Sequence, residues 1–399
     1  MFMERLANRM QALSESQTIA MARKARELAE QGVDVISLSL GQPDFKTPDV
    51  IKQAAKKAID DDFTFYTHVS GYQELREAIA GKLKRDNNLN YKASQIVVST
   101  GAKQSIANVV MCLINPGDEV VVPAPYWVSY IEVIKLAEGT PVIVKSGIEN
   151  DFKITAAQLE ESITPKTRLL IFSSPCNPTG SLYTKEELKA MADVLAKHPD
   201  VFVISDEIYE YINFSGKHES IAQFDNIRDR VIIINGCSKG YSMTGWRLGY
   251  IAAPEWIAKA CDKMQGQITS ATCSIGQKAA QRAVEMDPSE LQEMVDTFRK
   301  RRDLVLELVK EIPGMKANKP EGAFYLFPEI SDYFGKSTGN VTINDANDLC
   351  MYLLEEAHVA AVPGDAFGAP EYIRLSYATS EDKLRDAFSR LKNALSKLS

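Results

Sequence analysis

The chain is expected to be an α/β protein. It should hold a mostly parallel seven-stranded sheet flanked by helices, with a smaller α/β unit formed by both termini. Three observations carry this expectation. From Ser94 onward, short β-branched apolar runs alternate with helical stretches, the pattern of strands buried on both faces. The chain has 399 residues, more than one hydrophobic core usually serves, so two units are expected. The alternation stops near Asp287-Pro288, where a long charged helix leads into a more loosely patterned tail. The expected bounds are residues 46–288 for the large unit, and 1–45 with 289–399 for the small one.

The elements follow in order. Ser14-Glu15-Ser16-Gln17-Thr18 opens a helix that Gly32 stops. Val35 to Leu40 is a strand running into the turn-rich Gly41-Gln42-Pro43-Asp44. Helices are expected from about Pro48 to Ile59 and from Gln73, separated by residues 63–71, which show no clear period. Buried strands are expected at Ile96 to Val98, Glu119 to Val122, Pro141 to Val144, Arg168 to Phe172, Val201 to Ile204 and Val231 to Ile234. The connecting helix covers Ser289 to about Glu311. The tail offers strands at Phe324 to Leu326, Val359 to Val362 and Tyr372 to Leu375, with helices from Asn344 and Glu381.

Composition narrows the function. An apolar fraction of 45% supports large cores. The net charge is −7 with acids and bases interleaved, and the lack of a long basic run speaks against a nucleic-acid partner. Six cysteines (112, 176, 237, 261, 273, 350) form no CxxC pair, which suits free thiols in a reducing compartment. Residues 1–6 lack a charged-then-apolar signal pattern, and no stretch approaches the ~18 apolar residues of a membrane span. A cytoplasmic protein without membrane contact is expected.

The stretch Asn235 to Tyr250 organises the chemistry. A buried strand delivers Lys239 into a loop of small residues, where burial or a nearby cation would lower its pKa. A neutral amine can form a Schiff base with an aldehyde. Arg247 is a guanidinium suited to a phosphate. A surface lysine and arginine in a glycine-rich loop is the plain alternative. Ser99-Thr100-Gly101-Ala102-Lys103-Gln104 joins a strand to a helix, where backbone N–H groups can meet an anion; an ordinary tight turn explains it equally. Asp206 in Ser205-Asp206-Glu207-Ile208-Tyr209 stands at a strand end, on the side of an α/β sheet where ligands bind. A buried carboxylate there needs a partner, although a helix cap would also use an aspartate. Asn177, between Pro175-Cys176 and Pro178, can donate its amide to an oxygen, or simply belong to a rigid turn. Trp127 in Pro125-Tyr126-Trp127 can stack on a planar ring or pack in the core.

Taken in order, Asn177-Pro178-Thr179-Gly180, Ser205 to Tyr209, Ser238-Lys239 with Gly245 to Arg247, and Arg374-Leu375-Ser376-Tyr377 resemble the class I pyridoxal-phosphate aminotransferases of fold type I. The likeness is strongest to the bacterial aspartate aminotransferases, and it runs from Ser39 to Phe45 through to the closing helix. The resemblance implies pyridoxal 5'-phosphate as cofactor and Lys239 as its Schiff-base lysine. It implies Asp206 as partner of the pyridine nitrogen, and Tyr209 and Asn177 as donors to the phenolic oxygen. Gly101, Ala102, Lys103, Ser238 and Arg247 would hold the phosphate, and Trp127 would stack on the ring. Tyr66 would reach the phosphate of a neighbouring subunit, which implies a homodimer with shared sites. Arg374 would grip the substrate α-carboxylate by a bidentate fork, with Gly41, Trp127 and Asn177 also touching substrate.

One departure concerns specificity. Many relatives read the distal carboxylate with an arginine of the partner subunit, and Ile268-Thr269-Ser270-Ala271-Thr272 offers none. A bacterial subgroup uses a lysine in the phosphate turn instead, which Lys103 matches, with Ser16 as a second polar contact. The implied activity is ping-pong transfer of an amino group between L-aspartate or L-glutamate and 2-oxo acids. The same parts serve aromatic or prephenate aminotransferases and carbon–sulfur lyases. A non-catalytic cofactor-binding regulator is the rival of another class.

Overall fold

The structure is a computed structural model and describes residues 6–15, 17–339 and 341–399. Its largest element is a seven-stranded sheet. The strand order is Ile96–Ser99, Gly249–Ala252, Val231–Gly236, Phe202–Asp206, Thr167–Ser173, Glu119–Ala124, Thr140–Lys145. Gly249–Ala252 is antiparallel to both its neighbours, and the other pairings are parallel. Six of these strands stand where the apolar runs predict them. The seventh, Gly249–Ala252, is four residues long and opens on a glycine, so it carries almost no β-branched signal of its own. It pairs because the chain leaves Val231–Gly236, loops through Lys239 and Arg247, and returns alongside.

Alternation explains the layers. Val231 and Ile233 pack into a core on one face of the sheet, and Ile232 and Ile234 into a core on the other. Every residue of Phe202–Asp206 and Val231–Gly236 is buried. Register then fixes the site. Ser173 lies beside Asp206, and Asp206 beside Ile234. The loops carrying Asn177, Asp206 and Lys239 therefore leave the same edge of the sheet.

A third core joins the two chain ends. It takes Met21, Ala25 and Leu38 from the N-terminal part and Val305, Leu349, Val359 and Leu384 from the C-terminal part. Ile36–Ser37 pairs in parallel with Val359–Ala360. A small antiparallel sheet orders Val362–Pro363, Ile373–Ser376 and Tyr325–Leu326. The strand expected over 35–40 is shorter, Ile36–Ser37, because its only partner strand is two residues long. The connecting helix begins at Gln292, after a 3-10 turn capped by the Asp287 side chain, and runs to Lys310. Its buried face includes Phe298, Arg301, Arg302, Val305 and Val309. Arg301 makes a fork to Asp44 at 2.7 and 2.9 Å, which ties the loop after Gly41 to this helix. Among the described residues, no helix is long and apolar enough to cross a membrane.

Candidate active site

The loops from one sheet edge and the loop after Leu38 enclose a cavity of about 320 Å³. Of the residues singled out from sequence, Gly41, Ala102, Lys103, Trp127, Asn177, Asp206, Tyr209, Ser238, Lys239, Arg247 and Arg374 line it.

Lys239 crosses the cavity and donates from Nζ to the Gly41 carbonyl. Burial pulls its pKa down to about 7, Arg374 and Arg247 add to the effect, and Asp206 opposes it. The amine is thus poised near neutrality. Asp206, 4% exposed, ends its strand pointing into this space. Burial pushes its carboxyl up to about 6, against hydrogen bonds from the Tyr130 hydroxyl at 2.7 Å and the Ile208 N–H at 3.3 Å. The Ile208 N–H bond to its side chain stabilises the turn after the strand, where no helix begins, so Asp206 is not a helix cap.

Arg374 is 2% exposed, and a buried cation needs compensation. Its Nη1 donates to Asn177 Oδ1 at 2.9 Å and its Nη2 to the Ser39 carbonyl at 2.7 Å. The Tyr325 and Phe367 rings flank it at 4.5 and 5.0 Å. Among the described residues no carboxylate pairs with it, and its Nε finds no partner. Such a guanidinium is a prepared site for an anion. The bond from Arg374 occupies the Asn177 carbonyl oxygen and leaves the amide N–H groups free for another acceptor.

An anion cup stands opposite. The helix Ala102–Leu113 starts after Gly101, at φ 84°, with no side chain capping its first N–H groups. A Cβ on Gly101 would lie 2.2 Å from Arg247 Nη2, so only glycine lets the guanidinium approach. A Cβ on Gly249 would lie 2.2 Å from the Ala102 nitrogen. Arg247 itself adopts φ 57° and donates to the Thr244 carbonyl at 2.9 Å. Lys103 Nζ lies 5.0 Å from the Trp127 ring. Desolvation and then Arg247 lower the Lys103 pKa.

Three expected residues stand differently. Gly101 shapes the cup from behind without lining the cavity. Tyr66 is 98% exposed, beside Phe65 at 79%, over a separate hollow bounded by Ala271, Thr272 and Ser274. Ser16 lies outside the described residues. Conversely, sequence reasoning missed Tyr130, Tyr325 and Gly249. Tyr325 shares a 2.7 Å hydroxyl–hydroxyl hydrogen bond with Tyr209 and leaves no room for a Cβ on Gly41. Tyr130 directly follows Trp127-Val128-Ser129, and its place one helical turn past Trp127 was the available signal.

This donor set suits a phosphorylated aldehyde with a basic ring nitrogen. A near-neutral lysine faces a buried carboxylate, and an uncapped helix start with an arginine stands opposite. The chain resembles known aminotransferases. The model of the family described as aminotransferase class I and II matches residues 33–391. A probable aspartate/prephenate aminotransferase of Rickettsia bellii is 48% identical over 98% of this chain and 99% of its own length. The aspartate/prephenate aminotransferase of Cereibacter sphaeroides is 47% identical over 97% and 98% of the two chains. Among solved structures, an aspartate aminotransferase from Rhizobium meliloti matches with a TM-score of 0.95 at 40% identity, over 99% of both chains. The Thermus thermophilus aspartate aminotransferase with maleate gives 0.91 at 38%, over 98% of this chain and 99% of that one. Sheet, cavity and kinship converge, and the chain belongs to the class I and II aminotransferases.

Proposed function

We propose that the protein is a pyridoxal 5'-phosphate-dependent aspartate aminotransferase. It moves the amino group between L-aspartate or L-glutamate and the matching 2-oxo acids, 2-oxoglutarate and oxaloacetate, in two alternating half-reactions. The observation that carries this reading is Lys239, its pKa lowered to about 7, sharing one cavity with buried Asp206 and with an Arg374 that no carboxylate pairs among the described residues.

Lys239 would hold the cofactor covalently, and Asp206 would keep its ring nitrogen protonated. The free N–H of Asn177 and the Tyr209 hydroxyl would bond its phenolic oxygen. The Ala102 and Lys103 N–H groups, with Gly101, Ser238 and Arg247, would hold its phosphate, and Trp127 would cover the ring. When bound, the cofactor supplies an electron sink for charge developing at the substrate Cα. Arg374 fixes the α-carboxylate, which orients the Cα–H bond. Lys239, released on substrate binding, takes the Cα proton as a neutral base and returns it as an acid. A pKa of about 7 suits both directions. The Gly41 carbonyl accepts a hydrogen bond from the Lys239 amine.

Lys103 would pair with the distal carboxylate, with Ser16 as a second contact. The maleate, a dicarboxylate, named with the Thermus thermophilus neighbour supports an acidic substrate. Residues 46–288 would form the cofactor unit, and 1–45 with 289–399 the small one. Exposed Tyr66 supports a homodimer in which it completes the partner's phosphate site. Six free cysteines suit a reducing cytoplasm. The relatives named aspartate/prephenate aminotransferases favour prephenate as a second amino acceptor.

Amino transfer from aspartate to 2-oxoglutarate, followed by oxaloacetate formation, tests the reading, with glutamate and prephenate as a second pair. Purified protein that neither absorbs visible light nor transfers the amino group of aspartate would overturn it.

A further inference from the structure

A buried tyrosine stands behind the Asp206 carboxylate. Tyr130 is 1% exposed and sits at the start of the helix Ser129–Leu136. Its hydroxyl donates to Asp206 Oδ2 at 2.7 Å from a different element. The only other donor to the Asp206 carboxylate among the described residues is the Ile208 N–H, at the longer distance of 3.3 Å. Burial pushes the Tyr130 hydroxyl well above the ordinary tyrosine range, and Asp206 pushes it further, so it stays protonated and donates its proton to that carboxylate. The Tyr130 ring meets Trp127 edge-on, with centroids 5.5 Å apart. One short helix start thus carries both the ring that covers the cavity and the hydroxyl that grips the carboxylate.

We propose that Tyr130 is a positioning residue that acts through Asp206: its hydroxyl holds that carboxylate charged and in the rotamer that lines the cavity. This rests on the reading of Asp206 as partner of the cofactor's ring nitrogen. A carboxylate in this desolvated place has two ways to relax, by taking up a proton or by rotating. The Tyr130 bond opposes both. It also occupies Oδ2 from one side, which leaves the remaining acceptor positions for a ring N–H. Charge on the ring nitrogen then persists, and with it the ring's capacity to accept charge from Cα.

The test is a double-mutant cycle on the holoenzyme, with Tyr130→Phe, Asp206→Asn and the pair. Phenylalanine keeps the ring packing against Trp127 and removes only the hydroxyl. Titration of apo-protein with pyridoxal phosphate, followed by its visible band, reads affinity, and aspartate turnover reads kcat and KM separately. A lost hydrogen bond to a charged group predicts about 10- to 100-fold weaker cofactor binding and a similar fall in kcat, with the KM for aspartate within about two-fold. In the Asp206→Asn background, Tyr130→Phe changes cofactor affinity less than about two-fold, because the group it acts through is already gone. Equal losses in both backgrounds would make Tyr130 a packing residue and overturn the proposal, as would Tyr130→Phe with unaltered affinity and kcat. If Tyr130→Phe does not fold, Asp206→Asn with Tyr130→Phe against Asp206→Asn alone still decides: any loss beyond two-fold counts against it. A wild type without the visible band removes the cofactor reading itself, which is a different result from a wild type that binds and a variant that binds equally well.

Discussion

Single side chains set the chemistry through their surroundings. Lys239 would be cationic up to about 10.5 in water, and burial brings it to about 7. The neutral amine is the reactive form, so capture of pyridoxal phosphate by apo-protein should quicken as pH rises and level off just above 7. A stopped-flow pH series of the visible band checks this; a rate still climbing at pH 9 would mean an ordinary lysine. Lys239→Ala should bind cofactor without the covalent link and lose transamination by several orders of magnitude, measured as aspartate turnover. Lys103→Ala should lose roughly 30- to several-thousand-fold in kcat/KM on aspartate and glutamate, the size of a broken buried ion pair. It should lose little on phenylalanine or alanine, and a uniform loss would assign Lys103 to the cofactor alone. At this scale the sequence was legible where a residue stood at the end of a patterned strand. Asp206 and Lys239 are of that kind. Tyr130 and Tyr325 were not, because their meaning lies in bonds to Asp206 and Tyr209 across 76 and 116 residues.

Elements bring these residues into register. The turn after Asp206 has two faces: Asp206 and Tyr209 face the cavity, while Glu207 and Glu210 point into a buried charged knot. Glu210 pairs with Lys82 and accepts from Asn87 at 3.1 Å. Glu207 accepts from Ser205 at 3.0 Å and Ser220 at 2.6 Å, and bonds His218 at 3.0 Å. Burial alone would lower the His218 pKa, but Glu207 overcomes it and the net shift is upward. Lys82→Met would strand Glu210 and should cost about 3–5 kcal/mol, read as a lower denaturation midpoint. The double change Lys82→Met with Glu210→Leu should recover most of it. Gly249 matters for a different reason: a Cβ there collides with the Ala102 nitrogen. Gly249→Ala should push the start of the Ala102–Leu113 helix away and weaken phosphate binding at least 10-fold, with the sheet intact by circular dichroism. The pattern of alternating strands announced six of the seven sheet strands because each is a run of largely β-branched apolar residues, whether its pairing is parallel or, as for Ile96–Ser99, antiparallel. Gly249–Ala252 escaped because its pairing depends on the returning loop and not on its own composition.

The whole molecule is one fold closed by its own ends. Tyr66 and Phe65 stand out from the protomer at 98% and 79% exposure. A dimer that covers them should sediment as a single species at micromolar concentration, and a fully active monomer would remove the shared-site reading. Tyr66→Phe should weaken cofactor binding several-fold while leaving the unfolding temperature almost unchanged, since the side chain is almost wholly exposed among the described residues. The change of pattern near Asp287 falls where a 3-10 turn leads into the helix Gln292–Lys310, while the partner of the N-terminal segment was not legible, since short strands such as Ile36–Ser37 carry no address. That pairing has a consequence for how the protein is born. Ile36 meets Val359, so the helix Gln17–Glu30 and the strand Ile36–Ser37 wait for a partner made roughly 320 residues later. At ~5–20 residues per second the wait is roughly 16–65 s. During it the apolar stripe of Gln17–Glu30, including Met21 and Ala25, has no core to join. The sheet residues can assemble meanwhile, so the nascent chain would carry a folded sheet beside an unpaired Ile36–Ser37 until Val359–Ala360 is made.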